Sequence, residues 1–167
     1  MSAPVVRIAD ETPIEFAAPQ AEHFEARLRN LGSKLGIPGL GCKHIELSPG
    51  KRAFPYHNHL GNDEMFVILA GTGTYRYGSD EYAIRAGDVC GAQRGGSETA
   101  HQIINTGNET LSYLAISTVR EPDICEYPDS DKFAAFFKGT GRDFASAYFR
   151  YVGRMDSGLD YFDGEET

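Results

Sequence analysis

Pro55-Tyr56-His57-Asn58-His59-Leu60-Gly61-Asn62-Asp63-Glu64 is the stretch on which the reading of this chain turns. On a strand, residues i and i+2 point to the same face, so His57 and His59 project side by side and can take adjacent positions around one ion. The four residues from Leu60 to Asp63 have turn composition. Glu64 then opens the next strand, expected antiparallel to the first, and its carboxylate can swing back to the same point. A fourth donor has to come from elsewhere. His101 is the best candidate, placed just after the glycine-rich Arg94-Gly95-Gly96-Ser97 turn at the start of another strand. His23 and His44 read as ordinary surface or packing histidines.

Working outward from that stretch, residues 41–118 alternate short apolar runs with turn residues. Strands are expected at 44–47, 65–70, 74–77, 81–85, 101–104 and 111–117, separated by Ser48-Pro49-Gly50, Gly71-Thr72-Gly73, Gly78-Ser79-Asp80, Gly87-Asp88 and Asn105-Thr106-Gly107-Asn108. Short strands spaced by such turn signals indicate an all-β sandwich or barrel. Phe66-Val67-Ile68-Leu69 is apolar on both faces, so one side should meet the barrel core and the other a partner subunit or the N-terminal arm. Gly71-Thr72-Gly73 reads as a hairpin turn rather than a phosphate loop, because no helix follows it.

The flanks are less regular. The first 40 residues carry Pro4, Pro13, Pro19 and Pro38 and read as an arm with little regular structure that packs on the barrel. Phe24, Leu28 and Leu31 have helical spacing, but Gly32 and Gly36 keep any helix short. Residues 121–167 form a C-terminal extension, with a helical turn or two expected at 131–137 and a strand at 144–152. One domain is expected overall, with the barrel at 41–120.

Gly50, His57, His59, Glu64 and Gly71 together resemble the first motif of the cupin superfamily. Gly87, Gly95, His101 and Asn105 are similar to its second motif. The spacing departs from the pattern in places: Gln93 stands where a proline is usual, and five residues instead of two separate Gly95 from His101. The resemblance covers roughly residues 41–118 and extends weakly over the flanks to small bacterial single-domain members, some carrying a provisional sugar-phosphate isomerase label. It implies a jelly-roll-type double-stranded β-barrel with the metal inside, on His57, His59, Glu64 and His101.

Three imidazoles and one carboxylate, without thiolate, suit one divalent ion such as Mn, Fe, Co, Ni or Zn. A six-coordinate ion would keep two cis positions open, which points to chemistry or ligand binding rather than a closed structural site. Neutral imidazoles are required, so metal should be lost as pH falls below about 6.5. The expected role is an enzyme acting on a small polar or sugar-like substrate by isomerase-type chemistry, with Glu64 as the catalytic carboxylate. An Fe-dependent dioxygenase and a non-catalytic small-ligand-binding or sensing protein are the alternatives. Tyr75, Tyr77 and Arg94 are the candidate substrate contacts, with Lys51 and Arg52 as further cations for a phosphate-bearing substrate.

Composition narrows the rest. Sixteen Lys and Arg against twenty-four Asp and Glu leave 167 residues with a net charge of −8, which repels polyanions and argues against nucleic acid. Cys42, Cys90 and Cys125 are odd in number, widely spaced and without a CxxC pair, so they read as buried free thiols. The longest apolar run is far short of a membrane span. A cytoplasmic protein, forming a homodimer through the doubly apolar strand, is expected.

Overall fold

The computed structural model describes residues 4–18, 20–139 and 146–165. Its elements are β1 (Ile14–Ala17), β2 (Glu25–Asn30), a short helix α1 (Leu31–Leu35), β3 (Leu40–Leu47), β4 (Asn58–His59), β5 (Glu64–Ala70), β6 (Thr72–Tyr77), β7 (Asp80–Arg85), β8 (Val89–Ala92), β9 (His101–Ile104), β10 (Leu111–Thr118), β11 (Asp123–Tyr127), β12 (Lys132–Phe137) and β13 (Phe149–Gly153). All named strand pairs are antiparallel. They form three sheets, in the orders β1-β2-β3-β10-β5-β8, β13-β12-β11-β4 and β7-β6-β9. This is a double-stranded β-barrel, the fold class expected from the turn-punctuated pattern.

Alternation along the strands decides what fills the barrel. Ile45 and Leu47 of β3, Phe66 and Ile68 of β5, and Leu111 and Tyr113 of β10 point inward and are buried. Register sets them face to face, Leu47 opposite Leu111 and Ile45 opposite Tyr113. Met65 and Leu69 point outward and stay exposed. Gly71 carries the chain from β5 in one sheet to β6 in another, so it is a corner and not the hairpin that its composition suggested. Its φ of +80° favours glycine, and a Cβ there would lie 2.5 Å from the Thr110 carbonyl oxygen. Asn105, fully buried, clamps the second motif: its amide donates to the carbonyls of Leu47 at 2.7 Å and Glu109 at 2.8 Å, and its oxygen accepts from the Gly107 N–H.

Both flanks are more ordered than expected. Within the expected irregular arm, residues 14–17 and 25–30 are two strands added to the edge of the largest sheet, β1 on β2 and β2 on β3. Helical spacing at Phe24, Leu28 and Leu31 masked a period of two in Glu25-Ala26-Arg27-Leu28-Arg29-Asn30. Ala26 and Leu28 turn to the core, and Arg29 turns outward to Glu46 at 2.7 Å. The expected helix at 131–137 is the strand β12, paired with β11 on one side and β13 on the other. Asp131 at φ +49° ends the preceding turn, and the β-sheet partners override the local aromatic clustering. The expected strand at 144–152 is observed from Phe149 onward, its first two residues lying outside the described ones.

His44, outward on β3, is covered by Arg29, Glu46 and Ser112, with its ring nitrogens 3.2 Å from Arg29 Nη1 and 2.8 Å from Ser112 Oγ. Burial, with Arg29 adding to it against the opposing pull of Glu46, holds its pKa below the ordinary imidazole value. The folded state therefore takes up its proton later than the unfolded state as pH falls, so this residue's contribution to stability is present above about pH 6.5 and declines below it. Chemical denaturation between pH 5 and 8 should show a smaller acid loss in His44→Gln than in the parent; identical pH slopes would refute the assignment. Leu111→Ala should lower stability by about 2–5 kcal/mol with the denaturant slope unchanged, since its side chain is fully buried against Leu47.

Candidate metal centre

His57, His59, Glu64 and His101 meet inside the barrel. The Glu64 Oε2 atom stands 2.8 Å from His101 Nε2, 3.5 Å from His59 Nε2 and 3.7 Å from His57 Nε2. The His57 ring centroid is 5.0 Å from that of His59 and 4.7 Å from that of His101. One donor atom each from His57, His59 and Glu64 falls within a sphere small enough for a single ion.

Backbone pairing fixes these positions. His57 and His101 exchange both peptide hydrogen bonds, at 3.2 and 2.8 Å, which locks the two histidine-bearing segments in register. The longer loop between Gly95 and His101 does not displace His101. Its extra residues are taken up by a 3-10 turn at Ser97–Thr99, and Gly95 donates to the His59 carbonyl at 2.9 Å. Asn58, pointing opposite to the two histidines, donates to the Gly95 carbonyl at 2.8 Å and ties β4 to the same loop. β4 does not pair with β5, as the turn composition suggested. It pairs with β11, His59 opposite Cys125.

Each imidazole is oriented by what its outer nitrogen touches. His57 Nδ1 is 2.8 Å from the Pro55 carbonyl oxygen, and His101 Nδ1 is 3.2 Å from that of Thr99. Carbonyls only accept, so in both rings Nδ1 carries the hydrogen and Nε2 faces inward. His59 Nδ1 does the same toward the carboxylate of Asp123, at 2.7 Å, with Cys125 Sγ 3.1 Å away. Oxygen acceptors behind a ring in this way fix its tautomer and raise its basicity toward a metal. The three inner nitrogens therefore converge on one carboxylate oxygen. The donor set fits a divalent ion.

Protonation follows the same geometry. Burial, reinforced by His101 next to it, pushes His57 down to about 4. At His59 burial also opposes charge, but the hydrogen bond to Asp123 prevails and lifts it to about 11. Burial would raise Glu64, yet the His101 hydrogen bond and the neighbouring imidazoles hold it at about 2. Burial raises the Cys125 thiol, against the hydrogen bond to His59, so it is a neutral neighbour rather than a thiolate.

A cavity of about 510 Å³ opens from this centre, within the usual range for small-molecule sites. His57, His59 and Glu64 line it, together with Tyr127 and Phe54. The Tyr127 ring stacks on His57 with centroids 6.2 Å apart. The expected substrate contacts stand elsewhere. Tyr75 is buried in the core and donates to the Gly91 carbonyl at 3.0 Å, Tyr77 stacks on Tyr75, and exposed Arg94 engages Asp63. None of the three is on the cavity wall. Lys51 pairs with Glu25 and Arg52 covers the Phe24 ring, so these cations also face away. The cavity's cations are Lys43, Arg120 and Lys138. Reading the sequence also missed Asp123, Cys125 and Tyr127, which lie on β11. Their signal was the alternation Asp123-Ile124-Cys125-Glu126-Tyr127, whose odd positions share the face toward the site.

These features can be set beside known proteins. The family model for the cupin domain matches residues 43–117. The oxalate-binding protein of Thermotoga maritima is 32% identical over 114 residues, 67% of this chain and 91% of that one. A solved structure from Acidithiobacillus ferrooxidans, provisionally named a sugar phosphate isomerase, superposes with a TM-score of 0.76 at 25% identity and covers 92% of this chain and 91% of its own. A sugar phosphate isomerase from a cupin superfamily, from Silicibacter pomeroyi, shares the fold at a TM-score of 0.75 and 20% identity, over 96% of this chain and 98% of that one. A barrel of paired antiparallel sheets, both histidine-bearing motifs within the matched segment, and a relative alike over two thirds of the sequence lead to one conclusion: the chain belongs to the cupin family.

Proposed function

We propose that this chain binds one divalent metal ion on His57, His59, Glu64 and His101 and acts there on a small polar, sugar-like substrate by isomerase-type chemistry. The observation that carries this reading is the orientation of the three imidazoles, each with its outer N–H held by an oxygen and its inner nitrogen turned to the Glu64 carboxylate. The isomerase class is supported by the Acidithiobacillus structure, whose 92% coverage must include much of the flanking sequence beyond residues 43–117.

A bound Mn, Fe, Zn or Ni ion would supply Lewis acidity toward adjacent carbonyl and hydroxyl oxygens of a substrate. An aldose–ketose interconversion moves one proton from the hydroxyl-bearing carbon to the neighbouring carbonyl carbon and one between the two oxygens, without net redox change. Glu64, ionised and facing the cavity, is the residue assigned to hold the migrating proton. Asp123 and the carbonyls of Pro55 and Thr99 keep the imidazoles from turning, and Phe54, Phe66 and Tyr127 give the cavity its aromatic lining.

A second reading, a non-catalytic binder of a small dicarboxylate, is favoured by the relationship to the Thermotoga oxalate-binding protein. Either role suits a compartment that keeps Cys42, Cys90 and Cys125 as free thiols, such as the cytoplasm. Among the described residues no helix is long and apolar enough to cross a membrane. A homodimer is supported by the outward face of β5, where Met65 and Leu69 are 42% and 43% exposed next to Val89 at 62%. No described strand of the N-terminal segment pairs with β5 or β8, since β1 and β2 add to the sheet beyond β3.

Elemental analysis should find about one metal per chain. His57→Ala should weaken metal affinity at least about tenfold with the fold retained. Dialysis at pH 4.5 should strip the metal, because protons compete for the imidazoles; a full metal complement at that pH, with native circular dichroism, would sink the assignment. The loaded protein should interconvert aldose and ketose phosphates, and Glu64→Gln should lose that turnover. Tight oxalate binding without turnover would select the second reading, and oxygen uptake by an iron-loaded chain would select an oxygenase. Sedimentation at micromolar concentration should show a dimer, and Met65→Lys should shift it to a monomer; a parent chain sedimenting as a monomer would remove the dimer.

A further inference from the structure

An aldose–ketose interconversion moves two protons, one between carbons and one between oxygens. Glu64 is a single carboxylate and serves the first. The second calls for a weak acid beside the centre whose hydrogen is not already committed to the protein.

Most polar side chains around the cavity are committed. Asp123 accepts from His59 at 2.7 Å. Asn62 donates to the Arg120 carbonyl at 3.1 Å and accepts from Thr118 Oγ1 at 3.0 Å, and Ser33 donates to the Asn30 carbonyl at 3.4 Å. Lys138 lies 3.6 Å from Glu121. Two hydroxyls on the lining differ: among the described residues neither Tyr127 nor Ser117 has a hydrogen-bond partner for its side-chain oxygen, and neither oxygen is buried. Tyrosine hydroxyls in packed positions usually find a partner. Tyr56 and Tyr75 do, donating to the carbonyls of Gly78 at 2.7 Å and Gly91 at 3.0 Å. Tyr127 is the only tyrosine among the described lining residues, and its O–H is left over.

Strand β11 sets where that hydroxyl stands. Asp123, Cys125 and Tyr127 alternate onto one face, and all three line the cavity. Register places Cys125 opposite His59 and Lys132 opposite Tyr127. The Tyr127 ring stacks on His57, with centroids 6.2 Å and planes 26° apart, and the Lys132 ammonium lies 5.8 Å from its centroid. Its backbone carbonyl accepts from Ser130 Oγ at 3.5 Å, at the start of the 3-10 turn Pro128–Ser130. Packing does not account for the oxygen, since a phenylalanine would stack on His57 equally well.

We propose that Tyr127 is a second catalytic residue, the acid–base group that carries the proton between the two substrate oxygens while Glu64 carries the one between the carbons. This rests on the isomerase reading above. From the aldose, Glu64 takes the proton on C2, and the pair of electrons it leaves forms the C1–C2 double bond. The Tyr127 O–H gives its proton to the carbonyl oxygen on C1, so the intermediate is a neutral enediol. The tyrosinate then takes the hydroxyl proton from the oxygen on C2, whose carbonyl forms, and Glu64 returns its proton to C1. Both side chains end as they began, and no electron is gained or lost. Ser117 stands opposite Glu64 in the register of β5 and β10, but an aliphatic alcohol is a far weaker acid than a phenol, so it can orient a substrate oxygen and not exchange protons with it.

The test combines steady-state kinetics and titration calorimetry on the metal-loaded full chain, with aldose and ketose phosphates as substrates and glycolohydroxamate, a planar mimic of the enediol, as ligand. Tyr127→Phe keeps the stacked ring, so its metal content should match the parent. Its kcat should fall about 100-fold or more with KM within about threefold of the parent. Glycolohydroxamate should bind it about tenfold more weakly. Ser117→Ala should stay within about threefold of the parent in both measurements. Tyr127→Phe turning over at the parent's rate, with Glu64→Gln inactive, overturns this proposal and leaves the isomerase reading standing. A loss of turnover that follows Ser117→Ala instead of Tyr127→Phe overturns it likewise. A fully loaded parent chain that turns over none of the substrates overturns the isomerase reading and this assignment with it.

Discussion

Three imidazoles and one carboxylate meet inside the barrel, and the rest of the structure is arranged around that meeting. Each imidazole here has its outer N–H committed to an oxygen, so it cannot relieve the crowding by flipping its ring. Glu64 is buried and kept ionised by those same imidazoles. In a low-dielectric interior, unbalanced charge of this kind is costly. A proton held at His59 offsets the Glu64 charge, and a divalent cation bound on the same donors would do so in its place. The donors stand as a coordination shell would need them, and a buried polar cluster adds little stability of its own.

The barrel holds these four side chains rigid. His57 and His101 are clasped by reciprocal peptide hydrogen bonds, and His59 sits opposite Cys125 on a two-residue strand. Glu64 begins the strand that also supplies Phe66 and Ile68 to the core, so the carboxylate is placed by the same alternation that packs the apolar side chains. Directly behind the site, Phe66 approaches His101 with ring centroids 5.4 Å apart. Packing and coordination are thus one problem solved by one register.

Most of this register was legible in the amino-acid order, and the reasons for the exceptions are physical. His57 and His59 at i and i+2, with a turn before Glu64, announce a shared face whatever sheet they join. Which strand they pair with is a long-range matter, and β4 turned out to pair with β11, more than sixty residues away. For that reason Asp123 escaped notice: its chemistry is ordinary until the fold sets it 2.7 Å behind His59. Residues 25–30 carried helical spacing and strand alternation together, and the unpaired edge of β3 decided between them. Tyr75 and Tyr77 could have faced either way, and the pleat sent Tyr75 into the core.

The contact between Asp123 and His59 has a further consequence. β4 and β11 are neighbours in the sheet that also holds β12 and β13, and that hydrogen bond ties their side chains together beside the candidate centre. A cation drawing on the inner nitrogen of His59 polarises the ring and strengthens the bond behind it, since hydrogen bonds in series reinforce one another. Occupancy is then felt as cohesion along the C-terminal sheet, and by linkage whatever binds the folded form alone also protects it. On the proposed metal reading, resistance of that sheet to proteases and to amide exchange would gauge how many chains are loaded.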